Sequence, residues 1–176
     1  FGSLDTNAPG GYSLAAVIEA QFQAIQLGLG FTLSGVGGLV AIHRQVDTDA
    51  LRAALQAKGI DDIFFPSNPI AQAARLIGDL GTYFPEAPGR YVFGPAVKIG
   101  WGTPTLVTGE LAILLELPDP VRVVLLGSVS AALPTKDHPL VVLNVEVLGV
   151  IDFAAKTLAI DASLVNSKVI TFPITG

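Results

Sequence analysis

Residues Pro139–Phe153 alternate almost without error. The odd positions hold Val141, Leu143, Val145, Val147, Gly149, Ile151 and Phe153, and the even ones include Asn144, Glu146 and Asp152. A period of two, with one apolar and one semi-polar side, is the signature of a strand that buries one face. A helix would scatter the same residues around its axis. The pattern recurs through the C-terminal part of the chain, broken by short turn-forming stretches such as Pro118-Asp119-Pro120 and Ala154–Lys156. Short connections between alternating segments specify antiparallel hairpins. The chain is therefore read as mostly β.

Parity sorts the faces. Leu111, Ile113, Leu115 and Leu117 share one side of Thr105–Leu117. Val123, Leu125, Val129 and Leu133 do so in Val121–Leu133, and Leu158, Ile160, Ala162 and Leu164 in Thr157–Lys168. With the odd face of Pro139–Phe153 they form a continuous apolar wall, expected to be the core. The other face is mixed and holds Glu110, Glu116, Arg122, Ser130, Asn144, Glu146, Asp152 and Asp161 among leucines and valines.

Upstream, residues 1–11 read as a linker or tail, with Asn7, Pro9, Gly10 and Gly11. Tyr12–Phe22 and Ile25–Arg44 read as strands. Ala20–Ile42 carries no charge and is long enough to span a bilayer. Its five glycines and its glutamines favour a glycine-rich hairpin, and no transmembrane segment is expected. Asp47 is placed to cap a helix through Leu51, Ala54 and Leu55, with Gly59 to stop it. Asn68-Pro69 supplies a cap and a first-turn proline for a second helix, whose stripe is Ile70, Ala73, Ala74, Ile77 and Leu80. Thr82–Arg90 reads as a loop. The expected fold is α+β: a curved antiparallel meander over residues 12–176, with a helical insertion at about 47–82 packed as a two-helix hairpin on the apolar face.

Composition narrows the function. Hydrophobic residues make up 51% and charged ones 14%, against a usual charged share of about 25%. So few charges imply that part of the surface meets a partner, a ligand or neighbouring modules. The net charge of −5 and the lack of a basic stripe argue against nucleic acid. With no cysteine, disulfides and thiolate chemistry are excluded. There is no methionine and the chain begins Phe1-Gly2-Ser3, which reads as a processed product or a segment of a longer protein.

No residue pattern specifies a reaction. Register places Arg122 between Glu116 and Asp152, which reads as a cross-strand charge ladder rather than an anion site. Glu110, Ser130, Asn144 and Glu146 gather on the mixed face as a weak ligand or partner surface. Two carboxylates can act on glycosides when correctly spaced, but no aromatic platform accompanies these. His43 and His138 lack neighbours at metal-ligand spacing, so neither metal nor cofactor is expected. Gly35-Val36-Gly37-Gly38 lacks phosphate-loop spacing and reads as strand glycines that admit another backbone or ring. Trp101, between two glycines, reads as a corner plug, with ligand stacking the alternative.

Several strings together resemble a known domain: Gly30-Phe31-Thr32-Leu33-Ser34-Gly35-Val36-Gly37-Gly38-Leu39, Phe64-Phe65-Pro66, Phe93-Gly94-Pro95, Gly100-Trp101-Gly102-Thr103-Pro104, Leu115-Glu116-Leu117-Pro118, and Asp161-Ala162-Ser163-Leu164 with Ser167. The chain resembles an uncharacterised domain of very large, repetitive bacterial proteins with no assigned activity. The resemblance implies a module of a larger protein and carries over no catalytic residue. The leading expectation is a non-enzymatic structural or interaction module acting through sheet edges and the mixed face, with self-assembly through edge strands open to it. One alternative is a groove for a lipid or other hydrophobic ligand between sheet and helices. A more remote one is a hydrolase built on Glu110 and Glu146.

Overall fold

The computed structural model describes residues 1–57, 63–135, 138–170 and 172–174. The elements in chain order are β1 (Gly2–Asp5), β2 (Ser13–Gly28), β3 (Phe31–Arg44), α1 (Thr48–Ala57), α2 (Ala73–Tyr83), β4 (Glu86–Trp101), β5 (Val107–Leu117), β6 (Arg122–Leu133), β7 (Val141–Asp152), β8 (Thr157–Leu164), β9 (Ser167–Val169) and β10 (Phe172–Ile174). The ten strands of the described residues join one open antiparallel sheet in the order β1-β2-β3-β4-β5-β6-β7-β9-β10, with β8 also paired to β7. Among the described residues the fold is mostly β, as the alternation requires, with two helices.

Local chemistry explains the elements. The β2–β3 turn falls at Gly28, Leu29 and Gly30, all at positive φ, and not at residues 23–24. Glycine adopts that backbone without a Cβ clash. The Asp47 carboxylate accepts the N–H groups of Asp49 and Ala50 and caps α1 as expected; Gly59 lies outside the described residues. The Asn68 side chain accepts the N–H of Ala71, but it holds a separate turn, and α2 begins only at Ala73. The buried stripe of α2 is therefore Leu76 and Leu80, while Ile70 is 90% exposed. Residues 1–11 are not simply a linker: Gly2–Asp5 pairs with β2, and the Phe1 ammonium donates to the Val17 carbonyl. Glu86–Arg90, expected in a loop, already belongs to β4.

The largest departure concerns which face is covered. The core lies on the even face of β4–β7, where Val92, Ala96, Ala112, Leu114, Val124, Leu126, Leu148 and Val150 pack with Leu51, Leu55, Phe65, Leu80 and Phe84. The helices sit on the mixed face, and the odd apolar wall expected to be core faces outward. A bulge decides this. The register shifts at His43, which stands at φ 55: one residue separates Ile42 from Arg44, while residues 87–90 separate their partners Tyr91 and Glu86. The shift turns Arg44 to the side of Ala41, so the chain leaves β3 toward the mixed face.

Gly78 lies in α2 with open space around its missing Cβ. Gly78→Ala should raise the unfolding free energy by about 0.5–1 kcal/mol, read as a higher denaturation midpoint.

Candidate functional site

Three groups of side chains carry the chemistry of the sheet. The first is a buried ionic cluster at the base of the helical insertion. Register pairs Glu116 with Arg122 and Arg122 with Asp152. Arg122 Nε lies 3.0 Å from Glu116 Oε2 and 4.0 Å from Asp152 Oδ2. Arg90 joins from β4, its Nη2 2.7 Å from Glu116 Oε1. Glu116 is fully buried, so this is a core cluster and not a ladder on a half-exposed sheet. Its Oε1 also accepts the Val46 N–H at 3.4 Å.

Beside it, the Arg44 guanidinium donates to the Phe84 carbonyl at 2.9 Å and to Ser13 Oγ at 3.1 Å, near Glu86. Both ends of the insertion are thus tied to the sheet, and the charges that permit burial of the mixed face are paired. Loss of hydration pushes the Glu116 carboxyl above its ordinary value; Arg122, Arg90 and the Val46 N–H act in the opposite direction.

The second group is a polar row on the same face: Lys98↔Glu110↔Ser128↔Glu146↔Ser163. Lys98 Nζ lies 2.9 Å from Glu110 Oε1. Glu146 is buried. Ile63, Phe64 and Phe65 close over Glu110 and Ser128, leaving about 20 Å³, room for about one water. Glu110 and Glu146 therefore share a row with Ser128 between them. Ser130 and Asn144 face each other in a neighbouring row. Asn144 is held by backbone bonds: its N–H donates to Ser167 Oγ at 2.9 Å, and Ser167 Oγ donates back to the Asn144 carbonyl at 3.2 Å. That exchange fixes β9 where the chain steps past the end of β8.

Trp101 is not part of this face. It pairs with Phe31 and Val107 at the other side of the sheet, and its Nε1–H donates to the Leu29 carbonyl at 3.2 Å, bracing the β2–β3 turn. His43 Nδ1 lies 2.8 Å from the Tyr12 carbonyl oxygen, and its ring sits between those of Tyr12 and Tyr91. His138 lies in an exposed turn; its neighbours 136–137 are outside the described residues. Among the described residues no three His, Asp or Glu side chains gather as a metal site, and no helix is long and apolar enough to cross a membrane.

The third group is the uncovered face itself. One row runs Ala16↔Val40↔Phe93↔Leu115↔Val123↔Ile151↔Leu158, and another Ala20↔Val36↔Val97↔Leu111↔Gly127↔Val147↔Ala162. None of these positions is charged. Ile18 is 71% exposed, Ile160 68%, Leu158 65% and Ile113 43%. Over β2–β8 the exposed fractions amount to on the order of 1,000 Å² of apolar surface, well beyond the largest patches of about 300–600 Å² on typical monomers. Between Ile18, Val36, Val40, Phe93 and Pro95 the face is hollowed into an open groove of about 500 Å³.

Sequence parity identifies this surface but assigns it to the core. It does not identify Lys98 and Arg90, which neutralise Glu110 and Glu116. For Lys98 a signal exists: it shares the parity of Val92 and Ala96, one short hairpin from Glu110.

A family model described as a family of unknown function (DUF6603) matches residues 1–176. No curated protein and no solved structure matches the chain.

Proposed function

The chain belongs to the DUF6603 family, a family of unknown function, and from that premise we propose that it is a non-enzymatic structural or interaction module of a larger bacterial protein, working through its apolar sheet face. The observation that carries this reading is the uncharged outer face of β2–β8, too large and too apolar to be left to water. The contact surface is the odd wall and not the mixed face, which the helices occupy. The motif resemblance supports placement in a large repetitive protein. The non-enzymatic reading is supported by the burial of Glu146, the pairing of Glu110 with Lys98 and the water-sized space beside them.

A second reading has its own observation. The open groove of about 500 Å³ over β2–β4 is of ligand size and lined mainly by apolar residues, with Glu19 at its wall, so a hydrophobic ligand is the alternative occupant. It lies on the apolar wall that parity identifies, but on the side away from the helices and not between them and the sheet, where the space is filled.

The double variant Leu158→Lys/Ile160→Lys tests the proposal. Both side chains are about two-thirds exposed, so the unfolding free energy should change by less than about 1 kcal/mol. Native mass spectrometry should show wild-type chain carrying copies, a partner or an apolar ligand, and the variant losing them. A wild type that carries nothing, with a variant of identical behaviour, would overturn the reading.

A further inference from the structure

We infer that the occupant of the apolar face is the same face of a second copy of this chain, the two sheets packing as a sandwich with the helices outermost. The inference rests on the reading of this face as a contact surface and specifies its partner.

Area is the first argument. Stable complexes bury about 800 Å² per partner, and the exposed apolar surface here is on the order of 1,000 Å². Charge is the second. The chain carries a net −5, yet the outward cross-strand rows hold no charged residue, and Glu19 only borders the groove. Two copies therefore meet without bringing like charges together or burying an unpaired one. A two-fold pairing uses one patch twice, so a uniformly apolar surface is complementary to itself.

Relief is the third argument. Ile18, Ile113 and Ile160 stand out from the face as ridges, while the groove over Val36, Gly38 and Phe93 is the hollow that receives such side chains. Aligned sheets interdigitate such side chains across a layer about 10 Å thick. Association through the sheet edges is the competing geometry. It would leave the ridges in water.

Sedimentation of the chain at micromolar concentration, with native mass spectrometry on the same sample, tests this. Wild type should be a dimer. Ile113→Glu, which buries a charge in the middle of the interface, should raise its dissociation constant at least about 100-fold. A single cysteine at Ile160 provides a second readout that keeps the face intact, because the chain has no native cysteine. Spin-labelled Ile160→Cys should give a defined intermolecular distance that Ile113→Glu abolishes. A dimer that survives Ile113→Glu overturns the inference in favour of the edges. A monomer that retains an apolar ligand overturns it too, while leaving the contact-face reading in place. A monomer with neither ligand nor partner overturns both.

Discussion

Replacing Glu116 with alanine is expected to cost about 3–5 kcal/mol of folding stability. Glu116 is fully buried and holds the guanidinium groups of Arg90 at 2.7 Å and Arg122 at 3.0 Å. Removing it leaves two largely buried cations facing each other and removes the acceptor of the Val46 N–H. The damage should concentrate where the helical insertion joins the sheet, so hydrogen exchange in α1 should accelerate along with the fall in denaturation midpoint. Glu116→Gln keeps shape and an acceptor and should cost less.

The two variants also separate in their pH dependence. Burial raises the folded-state pKa of Glu116 above its ordinary 4.5, against the pull of Arg122 and Arg90. The folded protein then binds this proton more tightly than the unfolded chain. Its stabilising contribution is complete below 4.5 and is lost as pH rises through the folded value. Glu116→Gln cannot titrate, so the stability gap between wild type and variant should narrow as pH rises from 4.5 through that value. A gap that widens would show that the two arginines dominate.

Gly94→Ala is the second large effect, with an expected loss of about 3 kcal/mol. A Cβ on Gly94 would sit 2.3 Å from the Ile113 carbonyl oxygen and 2.5 Å from Leu114 Cδ2. Its other side is closed as well, since a Cβ on Gly38 would lie 2.6 Å from the Gly94 oxygen. Neighbouring backbone cannot rotate away as a side chain can, so β3, β4 and β5 would have to separate. Gly109→Ala is the control in the same sheet. Its Cβ meets Ile99 at an ordinary 3.5 Å, and its midpoint should stay within about 0.5 kcal/mol of wild type. Equal midpoints for Gly94→Ala and wild type would rule out the close approach of the three strands.

Gly35, Gly37 and Gly38 show what a sequence conveys about such places. Their spacing excludes a phosphate loop, and their position within an apolar strand points to close approach. The structure supplies the partners: the Phe65 ring over Gly35, the Ile18 carbonyl at Gly37 and the Gly94 carbonyl at Gly38. Arg122 is legible in the same way, because tight turns set the registers that place it between Glu116 and Asp152. Arg90 is not, since it comes from a strand whose start is hidden behind Pro88 and Gly89. The candidate site is half legible: its residues read correctly as an apolar wall and a mixed face, but their burial is reversed.

Long antiparallel strands with two unequal faces, and most of their pairings, are written into the order of residues. Period-two alternation and short turns are local, and local chemistry suffices for them. Which face the helices cover is settled only in three dimensions. Hydrophobicity alone favours the odd wall. The His43 bulge sends the chain to the other side, and the pairing of Glu116 with Arg90 and Arg122, Glu110 with Lys98 and Arg44 with Glu86 lets the mixed face be buried there. A buried charge is tolerable only when its partner is in place, and those partners come alongside only once neighbouring strands have paired in register. The same event leaves Pro139–Phe153 with its apolar side outward, as part of the surface this protein offers.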